Sequence, residues 1–148
     1  MRNEGGPLSL SSMPGYSQKT LAQKLGVKAG FRIATIAAPR DYPRLLGRLP
    51  DEAQIVHRAP NEGAEIVHLF VTTKAELETQ LPRARQAVSI DGAVWVSWYK
   101  KASKVPTDVT ENVIRELALT TTDLVDVKVI AVTDQWSGLK LVVRKTLR

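Results

Sequence analysis

The chain has 148 residues, 43% hydrophobic and 24% charged, which is the composition of one globular domain and excludes a largely disordered chain. The absence of cysteine excludes disulfides, thiol nucleophiles and thiolate metal sites, and two histidines are too few for a multi-histidine metal centre. Lys and Arg number 21 against 15 Asp and Glu, which gives a net charge of +6. No apolar run reaches the ~20 residues of a membrane-spanning helix and no signal-peptide pattern is visible, so we expect a cytoplasmic protein with no membrane partner.

A flexible tail and a short helix are predicted at the N-terminus. Residues 1–16 are rich in Gly, Ser and Pro and show no apolar period. We therefore expect a tail over 1–16 and a single α/β domain over 17–148. Within that domain, residues 17–25 predict a helix, which Gly26 ends with a left-handed C-cap.

Six apolar runs rich in β-branched residues predict six strands. One of them, 66–71, is apolar almost without interruption, which is typical of a parallel strand covered on both faces. A turn is predicted at Asp91-Gly92, before the fourth strand, and one helical turn over 42–46. The predicted strands are 31–38, 54–57, 65–71, 93–98, 124–132 and 139–144.

Two longer helices are predicted between the later strands, and each begins with a capping box. The first begins at Thr73 with Glu76 as its N3 carboxylate, and Pro82 is expected to kink or divide it. The second, over 108–117, begins with an Asp-Val-Thr-Glu box. Because strands alternate with helices, the sequence predicts a mostly parallel six-stranded sheet with helices on its faces. The last connection, 134–138, is short enough to make only an antiparallel C-terminal hairpin.

Three segments carry a family resemblance: residues 17–26, 94–101 and 135–142, the last containing the sequence Trp-Ser-Gly-Leu-Lys-Leu. From Tyr16 to Lys145 the chain resembles a family of small bacterial proteins that is catalogued only as a domain of unknown function. The resemblance implies a three-layer Rossmann-like sandwich and brings no established activity with it.

The order of elements is also similar to the second half of the class I methyltransferase core, which ends in an antiparallel hairpin too. This analogy implies the sheet order 2-1-3-4-6-5. The loop after the first strand, 37–43, departs from the methyltransferase pattern because it has two prolines and no glycine. The second strand is followed by His57-Arg58-Ala59-Pro60, which offers no carboxylate for a ribose. Both departures argue against binding of S-adenosylmethionine.

Four loops are expected to meet at the carboxyl edge of this sheet. In open parallel sheets, ligands bind outside the carboxyl ends of the strands where the strand order reverses, which here is between the first and third strands. The residues predicted to line this crevice are Pro39, Arg40, Thr72 and Thr73.

The loop after the fourth strand, 100–104, is basic and leads toward a predicted helix N-terminus. Cations beside free helix amides attract phosphate or carboxylate groups. The sequence therefore predicts binding of a small anionic ligand, or of a protein partner, at this rim. A solvated loop with ordinary surface lysines is the alternative interpretation. The predicted binding residues are Lys100, Lys101, Ser103, Trp136 and Ser137.

Three tryptophans and one histidine are further candidates. Trp95 and Trp98 are three residues apart on a strand, so they are expected to point to opposite faces. Trp98 and Trp136 either stack a base together or close one end of the hydrophobic core. His68 lies among aliphatic residues, and we interpret it as a buried, hydrogen-bonded histidine and not as a catalytic one.

No catalytic residue, metal site or cofactor is predicted, because the sequence has no Walker loop, dinucleotide fingerprint, nucleophile elbow or metal motif. Two other functions stay open. One is an S-adenosylmethionine-dependent, methyltransferase-like enzyme with an altered cofactor loop. The other is a basic nucleic-acid-associated accessory protein, which the net charge of +6 favours and the aromatic content of 5% does not.

Overall fold

The computed structural model describes residues 19–147, so the predicted tail over 1–16 lies outside the described residues. Within residues 19–147 the fold has four α-helices and six β-strands. Helices α1–α4 span Leu21–Leu25, Tyr42–Leu46, Lys74–Ala87 and Glu111–Thr121. Strands β1–β6 span Arg32–Ile36, Gln54–Val56, Ala64–Phe70, Val88–Tyr99, Leu124–Ala131 and Trp136–Val143. None of the helices in this part of the chain is long and apolar enough to cross a membrane.

The six strands form one sheet in the order β2-β1-β3-β4-β6-β5, which confirms the predicted order. Strands β2, β1, β3 and β4 pair in parallel, and β6 runs antiparallel to both β4 and β5. The β5–β6 connection is too short for a crossover, and this explains why the last strand reverses. The predicted α/β Rossmann-like sandwich is therefore correct.

The two faces of the sheet carry separate hydrophobic cores. On one face, the longer helices α3 and α4 pack Leu77, Leu81 and Ile114 against the sheet. On the other face, the short helices α1 and α2 contribute Leu21, Leu25, Tyr42 and Leu46, which pack with Ile33, Ile66 and Trp95. Trp98 belongs to the first core, so the prediction that Trp95 and Trp98 point to opposite faces is confirmed.

The predicted turn at Asp91-Gly92 is wrong, because these residues lie inside β4. The pairing of β3 with β4 shifts between Ala64, opposite Val88, and Ile66, opposite Ala93, so the extra residues bulge out of the ladder. Glycine permits this close approach, since a Cβ on Gly92 would lie 2.6 Å from the carbonyl oxygen of Glu65.

Three predicted helix features also need correction. Helix α1 begins at Leu21, because Thr20 is its N-cap and its hydroxyl accepts from the Gln23 amide at 3.2 Å; residues 17 and 18 of the predicted helix lie outside the described residues. Helix α3 is not divided at Pro82; the buried Leu81 and Ala84 on either side of the proline hold it against the sheet. Helix α4 begins at Glu111, with Thr110 as the N-cap, and not at residue 108.

The turn of the C-terminal hairpin is shorter than predicted, because Trp136, Ser137 and Gly138 belong to β6 and not to the turn. The Thr133 hydroxyl shapes the turn by accepting hydrogen bonds from the amides of Gln135 at 3.0 Å and Trp136 at 3.2 Å. The Trp136 carbonyl in turn accepts from the Val132 amide at 2.9 Å. This turn fixes where the Trp136 ring lies.

Candidate functional site

An open cavity of about 590 Å³ lies at the carboxyl edge of the sheet, and we call it the carboxyl-edge cleft. Its walls come from the loop after β1, the start of α2, the end of β3, the end of β4 and the β5–β6 hairpin. These elements meet between β1 and β3, where the strand order reverses. The lining residues are Ala37, Pro39, Asp41, Leu45, Phe70, Thr72, Glu76, Tyr99, Thr133, Asp134, Gln135 and Trp136.

One wall of the cleft is aromatic. The rings of Tyr99 and Trp136 stack with their centroids 3.9 Å apart and their planes 25° apart, because these two residues are opposite each other in the β4–β6 ladder. The Phe70 ring meets Trp136 edge-on at 5.0 Å. The idea that Trp98 and Trp136 stack a base together is wrong, since Trp98 lies in the core of the opposite face.

The remaining lining is polar and acidic. Asp41, Glu76 and Asp134 all line the cleft, and among the residues that the structure describes no lysine or arginine does. Glu76 is engaged in capping, since one of its oxygens accepts from the Thr72 amide at 2.7 Å. Asp41 forms an exposed ion pair with Arg44 at 3.2 Å. Asp134 is exposed, and within residues 19–147 it has no hydrogen-bond or ion-pair partner. Its carboxylate is therefore available to a ligand.

Two of the four residues predicted to line the crevice do line the cleft, and two do not. Pro39 and Thr72 line the cleft, whereas the exposed Arg40 and Thr73 follow them in sequence without lining it. Thr73 instead serves as the N-cap of α3, where its hydroxyl accepts from the Glu76 amide at 3.1 Å. The cleft thus includes two of the four residues predicted to line a crevice, and ligand binding by them stays a prediction.

Of the five predicted binding residues, only Trp136 lines the cleft. The Lys100 amide donates to the Gln135 carbonyl at 2.8 Å, which ties the basic loop to the hairpin. The Ser103 hydroxyl is occupied within that loop, where it donates to the Lys100 carbonyl at 2.7 Å. Lys101 is exposed in a 3₁₀ turn, and Ser137 lies opposite Trp98 in the β4–β6 ladder.

Sequence reasoning missed Tyr99, Asp41 and Glu76 as residues of the cleft. Tyr99 ends the strand that contains Trp98, and a count of alternate faces from Trp95 would have placed it on the face of the cleft. Asp41 and Glu76 cannot be predicted as cleft residues, because nothing in a sequence shows that the N-termini of α2 and α3 meet at one cavity.

A buried hydrogen-bonded chain lies beneath the cleft. The Tyr42 hydroxyl is 2.7 Å from Nδ1 of His68, and Nε2 of His68 is 2.7 Å from the Ser97 hydroxyl. The His68 ring also stacks on Phe70, with centroids 4.3 Å apart. Burial lowers the pKa of His68 to about 3 and raises that of Tyr42, so both side chains are neutral at neutral pH. The prediction of a buried, hydrogen-bonded histidine is confirmed.

The loop after β1 makes its turn without a glycine. Ala37 has φ of +60°, a left-handed conformation that L-residues seldom adopt outside turns. Pro39 lacks an amide hydrogen, so it offers no donor to a ligand. This loop therefore turns sharply at Ala37, but it is bulkier and offers fewer backbone donors than a glycine-rich loop. Within the described residues, no group of three acidic or histidine side chains could hold a metal ion.

No protein-family model and no curated protein matches the sequence, so the resemblance to the small bacterial family stays a prediction. Solved structures do match the fold. A DhpI–SAH complex has a TM-score of 0.52 at 10% identity, over 85% of this chain and 83% of that one. A fibrillarin from Aeropyrum pernix, solved with bound S-adenosyl-L-methionine, has a TM-score of 0.54 at 16% identity, over 82% and 73%. A SAM-dependent methyltransferase from Aquifex aeolicus has a TM-score of 0.50 at 11% identity, over 82% and 86%. At these identities the likeness is one of fold: the chain has the Rossmann-like α/β fold that these three structures share.

Proposed function

We propose that the protein binds a small ligand of the nucleoside type in the carboxyl-edge cleft, and that this ligand is neutral or positively charged. One observation carries the proposal: the aromatic wall of Tyr99 and Trp136 faces the same cavity as three carboxylates. The cavity, of about 590 Å³, is within the range of small-molecule sites.

The aromatic wall supplies affinity for a flat ring. Stacking of a base on an aromatic side chain contributes about 1–3 kcal/mol and does not depend strongly on which base is bound. Tyr99 is half-buried, whereas Trp136 is only 9% exposed and packs edge-on against Phe70. Tyr99 therefore offers the ligand more ring surface, and Trp136 holds the Tyr99 ring in place.

The carboxylates favour a neutral or positively charged ligand over an anionic one. Asp134 is free to accept hydrogen bonds from a ligand, and Glu76 adds negative potential to the same cavity, whereas the ion pair with Arg44 offsets part of the charge of Asp41. A phosphate in the cleft would meet this potential without a lysine or arginine on the lining to offset it. The anionic ligand predicted for Lys100 and Lys101 would instead have to bind outside the lining, at the basic loop.

A methyltransferase-like enzyme is the second candidate, and the fold favours it. The DhpI and fibrillarin structures contain SAH and S-adenosyl-L-methionine, and the latter molecule has both an adenine ring and a positive sulfonium. The cleft lining suits these two features. The loop from Ala37 to Pro39 does not suit a close approach of ligand to backbone, because it replaces glycine with bulkier residues.

The test compares three ligands that share adenosine and differ in charge: S-adenosylmethionine, adenosine and AMP. We expect calorimetric titration to give affinity in that order, and Tyr99→Leu to weaken all three. Asp134→Asn should weaken S-adenosylmethionine most, by about tenfold or 1.4 kcal/mol, and Asp51→Asn, an exposed site outside the cleft, should change nothing.

Two results would overturn the proposal. The first is that none of the three ligands binds at millimolar concentration. The second is that AMP binds tightest and loses its affinity in the Lys100→Ala/Lys101→Ala double variant, which would establish an anion site on the basic loop. Methyl transfer from bound S-adenosylmethionine would decide in favour of the second candidate, and binding without transfer would decide against it.

A further inference from the structure

A second cavity, of about 580 Å³, lies on the sheet face that α1 and α2 cover. It adjoins the first residues of β3 and β4, so it is at the opposite end of the sheet from the carboxyl-edge cleft, and we call it the amino-edge cavity. Helix α1 has only five residues and leaves this part of the face open. Phe31, Ile66 and Val142 give the cavity an apolar base.

Positive charge collects beside this apolar base. Lys28 and Lys140 line the cavity, and Lys128 is directly opposite Lys140 in the β5–β6 ladder. Like charges at opposed positions of neighbouring strands are destabilising. Within residues 19–147, none of the three lysines has a hydrogen bond or ion pair to a carboxylate. Burial, together with the charges of Lys128 and Lys28, lowers the pKa of the Lys140 amine.

The two carboxylates of the cavity offset only part of this positive charge. Glu65 is held by Arg32, with a 2.7 Å ion pair at one oxygen and a 2.7 Å hydrogen bond from the Arg32 amide at the other. Asp91 is exposed and offsets one of the three positive charges. The cavity therefore keeps an excess of positive charge that an anion would relieve.

From this juxtaposition we infer that the amino-edge cavity binds a small organic anion, with its apolar body against Phe31 and Val142 and its anionic head between Lys28 and Lys140. The head would offset the repulsion between Lys140 and Lys128. The apolar body would be removed from water, so an inorganic anion of the same charge would bind less tightly. This site is separate from the carboxyl-edge cleft and does not depend on what binds there.

The probe is 2-naphthyl phosphate, which joins a flat apolar body to an anionic head. Calorimetric titration should give one binding site, and Lys140→Gln should weaken binding tenfold or more, which corresponds to about 1.4 kcal/mol. Lys101→Gln removes the same charge at the other edge of the sheet and should leave the affinity unchanged. Neutral 2-naphthol and inorganic phosphate should each bind at least tenfold more weakly than the probe.

A second variant distinguishes a loss of probe binding from a loss of folding. Lys28 is exposed in the loop before β1, so Lys28→Gln should keep the stability of the parent protein and still weaken the probe. Three results would overturn the inference: no binding of the probe at millimolar concentration, equal loss of affinity in Lys101→Gln, or inorganic phosphate binding as tightly as the probe. Asp134→Asn, in the carboxyl-edge cleft, should leave probe binding unchanged, so this test is independent of the nucleoside proposal.

Discussion

His68 is a titratable side chain that the fold removes completely from water. It is fully buried, and each ring nitrogen lies 2.7 Å from one hydroxyl, that of Tyr42 or that of Ser97. A neutral imidazole donates through one nitrogen and accepts through the other, and a hydroxyl can do either, so these two hydroxyls satisfy both nitrogens of the neutral ring. Protonation inside the fold would place a charge in the core with no carboxylate partner.

This environment makes stability depend on pH. The pKa of His68 is about 3 in the folded protein, against about 6.5 in an unfolded chain. As the pH falls from 6.5 to 5, the unfolded chain takes up a proton that the folded protein does not, so the free energy of unfolding decreases. The slope approaches about 1.4 kcal/mol per pH unit. Urea unfolding over this range should show the decrease in the parent protein and a flatter profile in His68→Gln.

The two histidines of the chain supply the control for this measurement. His57 is exposed, so His57→Gln should keep the slope of the parent protein. The pH range of this measurement ends at 5, above the range in which the carboxyl groups of Glu65, Asp123 and Asp126 titrate. Ion pairs with arginine lower the pKa values of these three groups. An unchanged slope in His68→Gln would mean that His68 is not the group responsible.

At the scale of secondary-structure elements, one side-chain cap links two helices: a residue that precedes α4 caps the N-terminus of α3. Asp108 precedes α4, yet its carboxylate accepts from the Lys74 amide in the first turn of α3 at 2.7 Å. The Thr107 hydroxyl donates to the Thr72 carbonyl just before α3. These contacts join the chain before α4 to the α3 N-terminus, and Thr72 lies in the wall of the cleft.

Replacing Asp108 tests this crossed cap. A side-chain cap at a helix N-terminus contributes about 1 kcal/mol, so Asp108→Ala should lower the free energy of unfolding by that amount in urea titrations. Asp51→Ala serves as a matched control, because Asp51 is exposed in a turn and its side chain caps no helix. Equal stabilities of the two variants would show that the Asp108 contact contributes nothing.

Periodicity and capping patterns predicted most elements of this fold, because they reflect contacts within one segment. The apolar run 66–71 indicated a covered parallel strand, and the Thr73–Glu76 box located the start of α3. The same reasoning misplaced Asp108, whose partner is 34 residues away in sequence. It could not find the Tyr99–Trp136 stack either, since that stack depends on the register of β4 against β6. Local signals therefore predicted the strands and the edge where the cleft lies, whereas the side chains that face the cleft depend on long-range packing.

At the scale of the whole molecule, the two layers that cover the sheet are unequal. Helices α3 and α4 have 14 and 11 residues, whereas α1 and α2 have five each. Helices shorter than about 12 residues are marginal on their own, so α1 and α2 depend on packing against the sheet for their stability. Both cavities described above adjoin this thinner layer.

Native-state hydrogen exchange should reveal this inequality. We expect the amides of α1 and α2 to exchange through local opening at lower free energy than those of β3 and β4, which are paired on both sides and exchange only with global unfolding. Asp41, the residue before α2, and Leu45, within it, line the carboxyl-edge cleft, so a ligand bound there should slow exchange in α2 while leaving α4 unchanged. Mass spectrometry of peptides that cover α1, α2, β3, β4 and α4 measures both effects. Protection of α2 equal to that of β4 in the free protein would contradict the expectation, because it would mean that the short layer opens only when the whole sheet does.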